Sequence, residues 1–442
     1  MINRVTLTPL GFGTAIVTAA LFVVSLWLPD GSSGLVDVLW RFLLLLLASL
    51  MCVEWYVDSL RKLRASFQTH DGSMTAILGT PRRFQVELGS DFSHNPHTSL
   101  RFVPFEQWRL TSDPVQQLRL TPNAEFNIEL QPIAAGRNQI GRAFIRIQGL
   151  FGLTAWERAL PFSEAVEVIP ARSLATDRMN GFAPEEQRAD FVAGRGFELQ
   201  RLRDYQFGDS LRNVDWKATA RRGQKVVRLF SEENQVEVCL MVDASQYGQI
   251  QVDRLTRFNH MLNIASQLAE RTLLSGDRVS LCVYGVKTKA KSQMGKSHTH
   301  FQTIRRILQE TSLDAGPANH LSAYLDVAKS LPRRSLIVFL THLDHSALND
   351  HLLKTVSLAS KKHSALVASI RDVDLDRMVE TYAEHWLDPF VALSAVQQRD
   401  ATRLQINQMR KLGAHVVYST HDHLADELLH TYQALRSRRA IA

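Results

Sequence analysis

The sequence predicts a membrane-anchored, multidomain protein. Its parts are a transmembrane helical hairpin, a small antiparallel β-sandwich, and a doubly wound, mostly parallel α/β sheet. Three observations predict this class. Two long apolar runs stand at 10–28 and 35–57. Short alternating runs separated by turn residues fill the stretch from about residue 69 to 170. From residue 236 onward strand and helix patterns alternate, as they do when a parallel sheet is covered on both faces. A chain of 442 residues suits about three domains of ~150 residues each. The 45% hydrophobic and 21% charged content excludes a disordered chain. The net charge of +7 suits an anionic partner or the negatively charged inner leaflet of a membrane. Its spread along the whole chain favours the leaflet. Cys52, Cys239 and Cys282 have no metal-ligand spacing, and are expected to be free buried thiols in a reducing compartment.

The hairpin is assigned to residues 1–60. Each run is long enough, at about 1.5 Å per residue, to cross a bilayer. Pro29, Asp30, Gly31 and the residues to Gly34 break them apart. Arg41 and Glu54 lie near the ends of the second run, where side chains reach headgroups. Arg4 precedes the first run and Arg61, Lys62 and Arg64 follow the second. By the positive-inside rule both ends face the cytoplasm, so two transmembrane helices and a cytoplasmic body are expected.

Residues 61–170 form the predicted β-sandwich, with strands read at 84–88, 117–120, 125–130, 143–147 and 166–170. They show no catalytic constellation. The polar stretch 171–195 reads as a linker.

The stretch 196–235 is the least ordinary part of the chain. Tyr205, Phe207 and Trp216 are interleaved with Arg203, Asp204, Asp209, Arg212, Asp215, Lys217 and Arg221. Gly208 and Asp209 read as a tight turn. Asp209 or Asn213 would cap a short helical turn. Residues 215–221 are good helix formers, Gly223 closes them, and 225–230 read as a strand. Trp216 is expected to anchor the segment by burial, and Arg212 to share a helical face with Asp215.

Arg203, Tyr205, Gly208, Asp209, Arg212, Asp215, Trp216, Ala220 and Arg221 resemble the signature of the bacterial family called domain of unknown function 58. The pattern is R-x-Y-x-x-G-D-x-x-R-x-x-D-W-x-x-x-A-R. Gly136 with Arg137, Gly149 to Leu153, and Val166 to Pro170 resemble landmarks of that family's N-terminal β region, which implies an immunoglobulin-like sandwich.

Residues 236–442 carry the α/β repeat, with strands at 236–242, 278–284, 335–340, 364–370 and 414–419. Helices are read at 252–271, 301–310, 321–330 and 424–436. Asp243, Ala244 and Ser245 after the first strand, and Thr341 after a later one, resemble the von Willebrand factor type A fold. That resemblance implies a metal-dependent adhesion site built from D-x-S-x-S, a distant Thr and a T-D pair. Magnesium wants about six oxygens. Here Tyr247 takes the second serine position, Asn319 stands nearest the distant threonine, and His342 replaces the acid of the T-D pair. Asp243, Ser245 and Asn319 are thus positions of a degenerate site, and no metal or other cofactor is expected. His342 and His345 flank Asp344, and His421 and His423 flank Asp422, without the further ligand that a zinc site needs. No P-loop, G-x-S-x-G, H-E-x-x-H or C-x-x-C occurs, and no catalytic residue is expected.

These readings describe a non-enzymatic, membrane-tethered adaptor or scaffold. The family resemblance implies a bacterial inner membrane as the place, and a MoxR-type AAA+ ATPase as partner, acting with an unknown client protein beside the lipid bilayer. Two alternatives stand. One is nucleic-acid binding through the basic-aromatic segment, against which Asp204, Asp209 and Asp215 speak, so no nucleic acid is expected. The other is a metal-dependent hydrolase using Asp204, Asp209, Asp215 or Asp243.

Overall fold

The structure is a computed structural model. It describes residues 2–27, 33–60, 63–69, 74–90, 97–119, 123–149, 151–160, 165–172, 193–194, 198–207, 209–231, 235–343, 349–380 and 384–437. The chain forms two compact units, Met1–Pro170 and Ala171–Ala442.

The first unit begins with strand β1 (Ile2–Leu7), helix α1 (Pro9–Trp27) and helix α2 (Ser33–Leu60). Among the described residues no helix is long and apolar enough to cross a membrane. The expected transmembrane hairpin, the membrane-anchored class and the two-span inner-membrane placement are therefore corrected to a mixed α/β fold with several sheets. Glu54, which was expected to reach headgroups, has protein partners instead. Glu54 is fully buried and accepts hydrogen bonds from the Phe151 N–H at 2.6 Å, the Thr154 N–H at 2.9 Å and the Thr154 hydroxyl. Its carboxylate thus organises a turn of the β region. Thr8 likewise donates to the carbonyls of Gly152 and Leu153. Gly11 lies so near the Leu153 carbonyl that a Cβ would collide with it. Between the helices runs an apolar groove of about 490 Å³, lined by Leu10, Val17, Leu43, Leu47 and Leu50 among others. Trp27, Phe42 and Leu45 on these helices are exposed, and so is Cys52, which was expected to be buried.

Eleven further strands complete the unit: β2 (Leu63–Thr69), β3 (Thr75–Ile77), β4 (Arg82–Ser90), β5 (His97–Pro104), β6 (Trp108–Leu110), β7 (Val115–Arg119), β8 (Asn123–Pro132), β9 (Gly136–Gln139), β10 (Gly141–Gln148), β11 (Thr154–Leu160) and β12 (Ala165–Ile169). They build sheets in the orders β1-β11-β10-β5-β7, β2-β4-β8-β6 and β3-β12-β9. All pairs are antiparallel except β3 with β12. β10 alternates buried and solvent-facing positions along its length, so one face turns inward. Phe84, Val86, Phe126, Ile128, Ile145 and Ile147 are buried. Strand β1, unread in the sequence, pairs with β11 from Ile2↔Arg158 to Leu7↔Thr154.

In the second unit, Ala171 and Arg172 are held by Asn263 and Glu270; most of the expected linker lies outside the described residues. A small sheet follows, in the order β13 (Ala193–Gly194), β15 (Val226–Ser231), β14 (Glu198–Asp204), with helix α3 (Trp216–Arg222) between β14 and β15. The large sheet then begins with β16 (Glu237–Asp243), every residue of which is buried. A short ribbon, β17 (Gln251–Val252) and β18 (Leu255–Thr256), leads into helix α4 (Arg257–Leu274), capped by the Thr256 side chain. Then come β19 (Arg278–Tyr284), β20 (Thr288–Lys291), α5 (His298–Glu310), α6 (His320–Ala328), β21 (Leu336–Leu340), α7 (Asn349–Lys362), β22 (Ser364–Ile370), α8 (Val373–Glu380), α9 (Asp388–Lys411), β23 (His415–Ser419) and α10 (Leu424–Ser437).

The sheet order is β20-β19-β16-β21-β22-β23. β16, β19, β21, β22 and β23 run parallel, and β20 is an antiparallel edge. Continuous apolar strands such as Leu336–Leu340 are what a sheet buried on both faces requires. Met241, Tyr284, Phe339, Val367 and Met409 pack into its core, each contributing about 1.5–3 kcal/mol by burial. The last helix is fixed by Asp277, whose carboxylate accepts from the Tyr432 hydroxyl and from Arg436 Nε at 2.8 Å. Chain order reverses beside β16, which places the carboxyl ends of β16 and β21 at the switch point where such sheets bind ligands.

Candidate functional site

Two places compete: the connection from β14 to β15, and the strand ends at Asp243 and Thr341.

In the first, β14 and β15 form an antiparallel pair running to Asp204↔Val226. Tyr205 continues the ladder by donating its N–H to the Lys225 carbonyl at 2.9 Å, and the Lys225 ammonium lies 5.5 Å from the Tyr205 ring centre. The chain then turns. Asp209 fixes that turn by accepting from the Gln206 N–H at 2.8 Å and from Arg203 Nη2 at 2.8 Å. The Gln206 N–H, with help from the Arg203 guanidinium, lowers its pKa from the ordinary carboxylate value. Gly208 lies outside the described residues.

Asp215, not Asp209 or Asn213, caps helix α3. Its side chain accepts from the Lys217 and Ala218 N–H groups at 3.1 and 3.0 Å. Its second oxygen accepts from Arg228 Nε on β15 at 2.9 Å. That bond leads the causes that depress the Asp215 pKa and raise that of Arg228. Arg212 and Asp215, expected to share a helical face, do not, because the helix begins only after Asp215; the acid pairs across the hairpin, with Arg228 thirteen residues on. Gly223 ends the helix with φ +70°, a left-handed conformation suited to glycine.

Trp216 is also corrected. Expected to be a buried anchor, it is 64% exposed. Asp215 at the cap already fixes the helix, and Val214, Val226 and Val227 supply the burial instead. Phe207 is fully exposed and Leu211 is 58% exposed. Arg212, Lys217, Arg221, Arg222 and Lys225 are exposed around them. Within this segment Asp209 and Asp215 are satisfied by Arg203 and Arg228, which leaves a cationic, aromatic surface. Sequence reasoning missed Leu211, which carries no distinguishing spacing.

Residues 201–380 match the family model described as protein of unknown function DUF58.

The match covers less than half of the chain, and the signature residues lie at its start. Among curated proteins, the uncharacterized protein YeaD of Bacillus subtilis (strain 168) is 22% identical over 211 residues, 48% of this chain and 48% of that protein. The alignment thus spans about half the length of the curated relative. Among solved structures, the conserved hypothetical protein BatB from Bacteroides thetaiotaomicron is 13% identical, covering 46% of this chain and 99% of that one, with a TM-score of 0.33. Proximal thread matrix protein 1 from the mussel byssus is 9% identical, covering 44% and 45%, with a TM-score of 0.30. At such scores these likenesses carry no argument.

The matched residues also contain the strand ends. Asp243 is buried, and its two oxygens accept from the Ser245 N–H at 2.9 Å and the Thr341 hydroxyl at 2.6 Å. The Asn319 amide oxygen accepts from the Ser322 N–H at 3.0 Å, capping α6. Ser245 is fully buried, and its hydroxyl has no hydrogen-bond partner among the described residues. Beside them the Tyr284 hydroxyl meets His320 Nδ1 at 3.0 Å. Burial lowers the His320 pKa and raises that of Tyr284, so a neutral pair is held at neutral pH. Among the described residues no three His, Cys, Asp or Glu side chains gather as a metal site. The oxygens of Asp243 and Asn319 are instead spent within the protein. Asp344 and His345 lie outside the described residues.

Proposed function

We propose that the chain is a protein-interaction adaptor, with the surface between β14 and β15 as its contact site. The observation that carries this is the exposure of Phe207, Leu211 and Trp216 among Arg212, Lys217, Arg221 and Arg222. Large aromatics and arginines dominate the binding energy of protein interfaces. Leaving three large apolar side chains in water within ten residues of one another serves no folding purpose. Cap, turn and hairpin are secured by Asp215, Asp209 and Arg228, so the outer side chains are available to a partner.

The partner we propose is a MoxR-type AAA+ ATPase, with the adaptor bringing it to a client protein. The family resemblance supports this reading. The test is capture of proteins by the tagged full chain, compared with Trp216→Ala and Phe207→Ala. An ATPase retained by the native chain and lost from both variants supports the assignment. Equal retention by all three would move the contact site elsewhere.

A further inference from the structure

A second exposed apolar surface lies in the same unit, outside the signature and unread in the sequence. It spans the end of α8 and the start of α9. Trp386 is 78% exposed and Phe390 64%, with Leu387, Val391 and Leu393 exposed beside them. Asp388 already secures the turn, accepting from the Glu384 and His385 N–H groups at 2.8 Å each.

The charge around this surface is opposite to that of the signature. Residues 371–393 hold six acids (Asp372, Asp374, Asp376, Glu380, Glu384 and Asp388) against Arg371 and Arg377. Both arginines pair locally, Arg371 with Asp376 at 3.2 Å and Arg377 with Asp374 at 3.2 Å. Residues 203–228 hold seven bases against three acids. Asp372 pairs in addition with the buried Arg257 at 2.8 Å. The rim at α8–α9 is thus net acidic and that of the signature net basic, each around exposed aromatics, and the two net charges are complementary. Such pairing fixes orientation and suppresses like-with-like contact, because juxtaposed charges of one sign are costly.

We propose that the acidic-aromatic surface at α8–α9 binds the basic-aromatic signature surface of a second copy of this chain. The contact is head-to-tail, so an open assembly leaves one patch uncovered at each end, and a closed ring leaves none. Self-association then covers the signature surface, and a partner that uses this surface competes with the second copy. This last consequence rests on the adaptor reading above; the contact between copies does not.

Two differently tagged full chains, both carrying Cys52→Ser to remove the exposed thiol, test the contact. One carries Phe207→Cys and the other Phe390→Cys; both sites are exposed, and the native thiols of Cys239 and Cys282 are buried. A short bismaleimide should join the mixed pair about fivefold or more above either chain mixed with its own kind. Raising the salt from about 0.05 M to about 1 M should reduce the yield several-fold, because exposed charges are then screened within ~3 Å. Arg221→Glu in the first chain should weaken the cross-link, and Glu384→Arg in the second should restore it. Equal yields in mixed and like pairs, or a yield unmoved by the charge exchange, would overturn the proposal. Because no ATPase is present, a negative result leaves the adaptor reading standing. A positive one does not establish it.

Discussion

The β14–β15 connection and the strand ends at Asp243 spend their polar residues in opposite ways. Both use an aspartate beside a turn, and both sit at the end of a strand. At the strand ends every oxygen of Asp243 points inward to Ser245 and Thr341, and the surroundings are closed. In the connection, Asp209 and Asp215 are equally committed to the backbone, but their work leaves Phe207, Leu211 and Trp216 outside. A polar residue in a signature can therefore be structural while its apolar neighbour stays in water, available to the proposed contact. The hydrogen-bond inventory separates the two roles; the motif does not.

The largest effect is expected from Asp243→Ala. It leaves the Ser245 N–H and the Thr341 hydroxyl buried without their acceptor, costing roughly 2–4 kcal/mol of stability. Denaturant unfolding of the full chain checks it. The same experiment with millimolar Mg²⁺ sharpens the comparison, since a ligand at 100 times its dissociation constant would add about 2.7 kcal/mol. A shift of that size, lost with Asp243→Ala, would show the strand ends to be a ligand site after all.

The second prediction concerns acid. His320, His260 and His363 all have pKa values lowered, first of all by burial. A histidine depressed on folding takes its proton in the unfolded state first. Stability is thus full above the unfolded value near 6.5 and falls as the pH drops below it, by up to ~1.4 kcal/mol per pH unit for each such group. Asp209 and Asp215 are also depressed, but from the carboxylate range. Their contribution is present above about pH 4 and lost only as the pH falls further. Unfolding midpoints between pH 7 and about 5 should therefore decline, less steeply in His320→Gln. An unchanged slope in that variant would remove His320 from the account.

Trp216→Ala comes third in its effect on the fold, and first on the contact. An exposed side chain of this kind should alter stability by less than ~1 kcal/mol, whereas loss of an interface anchor weakens binding by ~2 kcal/mol or more. Melting and capture measured on the same preparation distinguish the two. Unfolding by this variant would break the comparison, for the connection would then be a clasp.

Much of this was legible in the sequence because it depends on local chemistry. Glycine at 223 and an apolar, β-branched run at 236–242 led directly to a helix end and a buried strand. The helix at 257–274 followed from its apolar spacing, though the sequence placed its start near residue 252. What stayed illegible depends on partners remote in sequence. Arg228 reaches Asp215 only because the hairpin folds back. Glu54 is bound by residues about a hundred positions away, so an acid at the end of an apolar run read as a snorkelling group. Apolar content also does not say which way a side chain faces. Trp216 read as a buried anchor and Trp386 drew no reading, because propensity does not encode exposure.

The smallest effect on stability is expected from Arg212→Ala, and it tests the finest part of the comparison. Arg212 is, like Asp215, one of the residues that resemble the family signature, yet it is exposed and the acid pairs with Arg228 instead. If signature residues were uniformly structural, its removal would lower the melting point as a cap mutation does. The geometry gives a different expectation, a stability change within about 0.5 kcal/mol. A rim charge acts on encounter, so its loss should slow association with an anionic partner surface and reduce the salt dependence of the rate. Trp216→Ala should instead speed dissociation, because an anchor acts once the complex has formed. Stopped-flow association at two ionic strengths reads both effects. A loss of stability as large as that of Asp243→Ala, with rates untouched, would place Arg212 with the structural aspartates and shrink the contact surface to its aromatics.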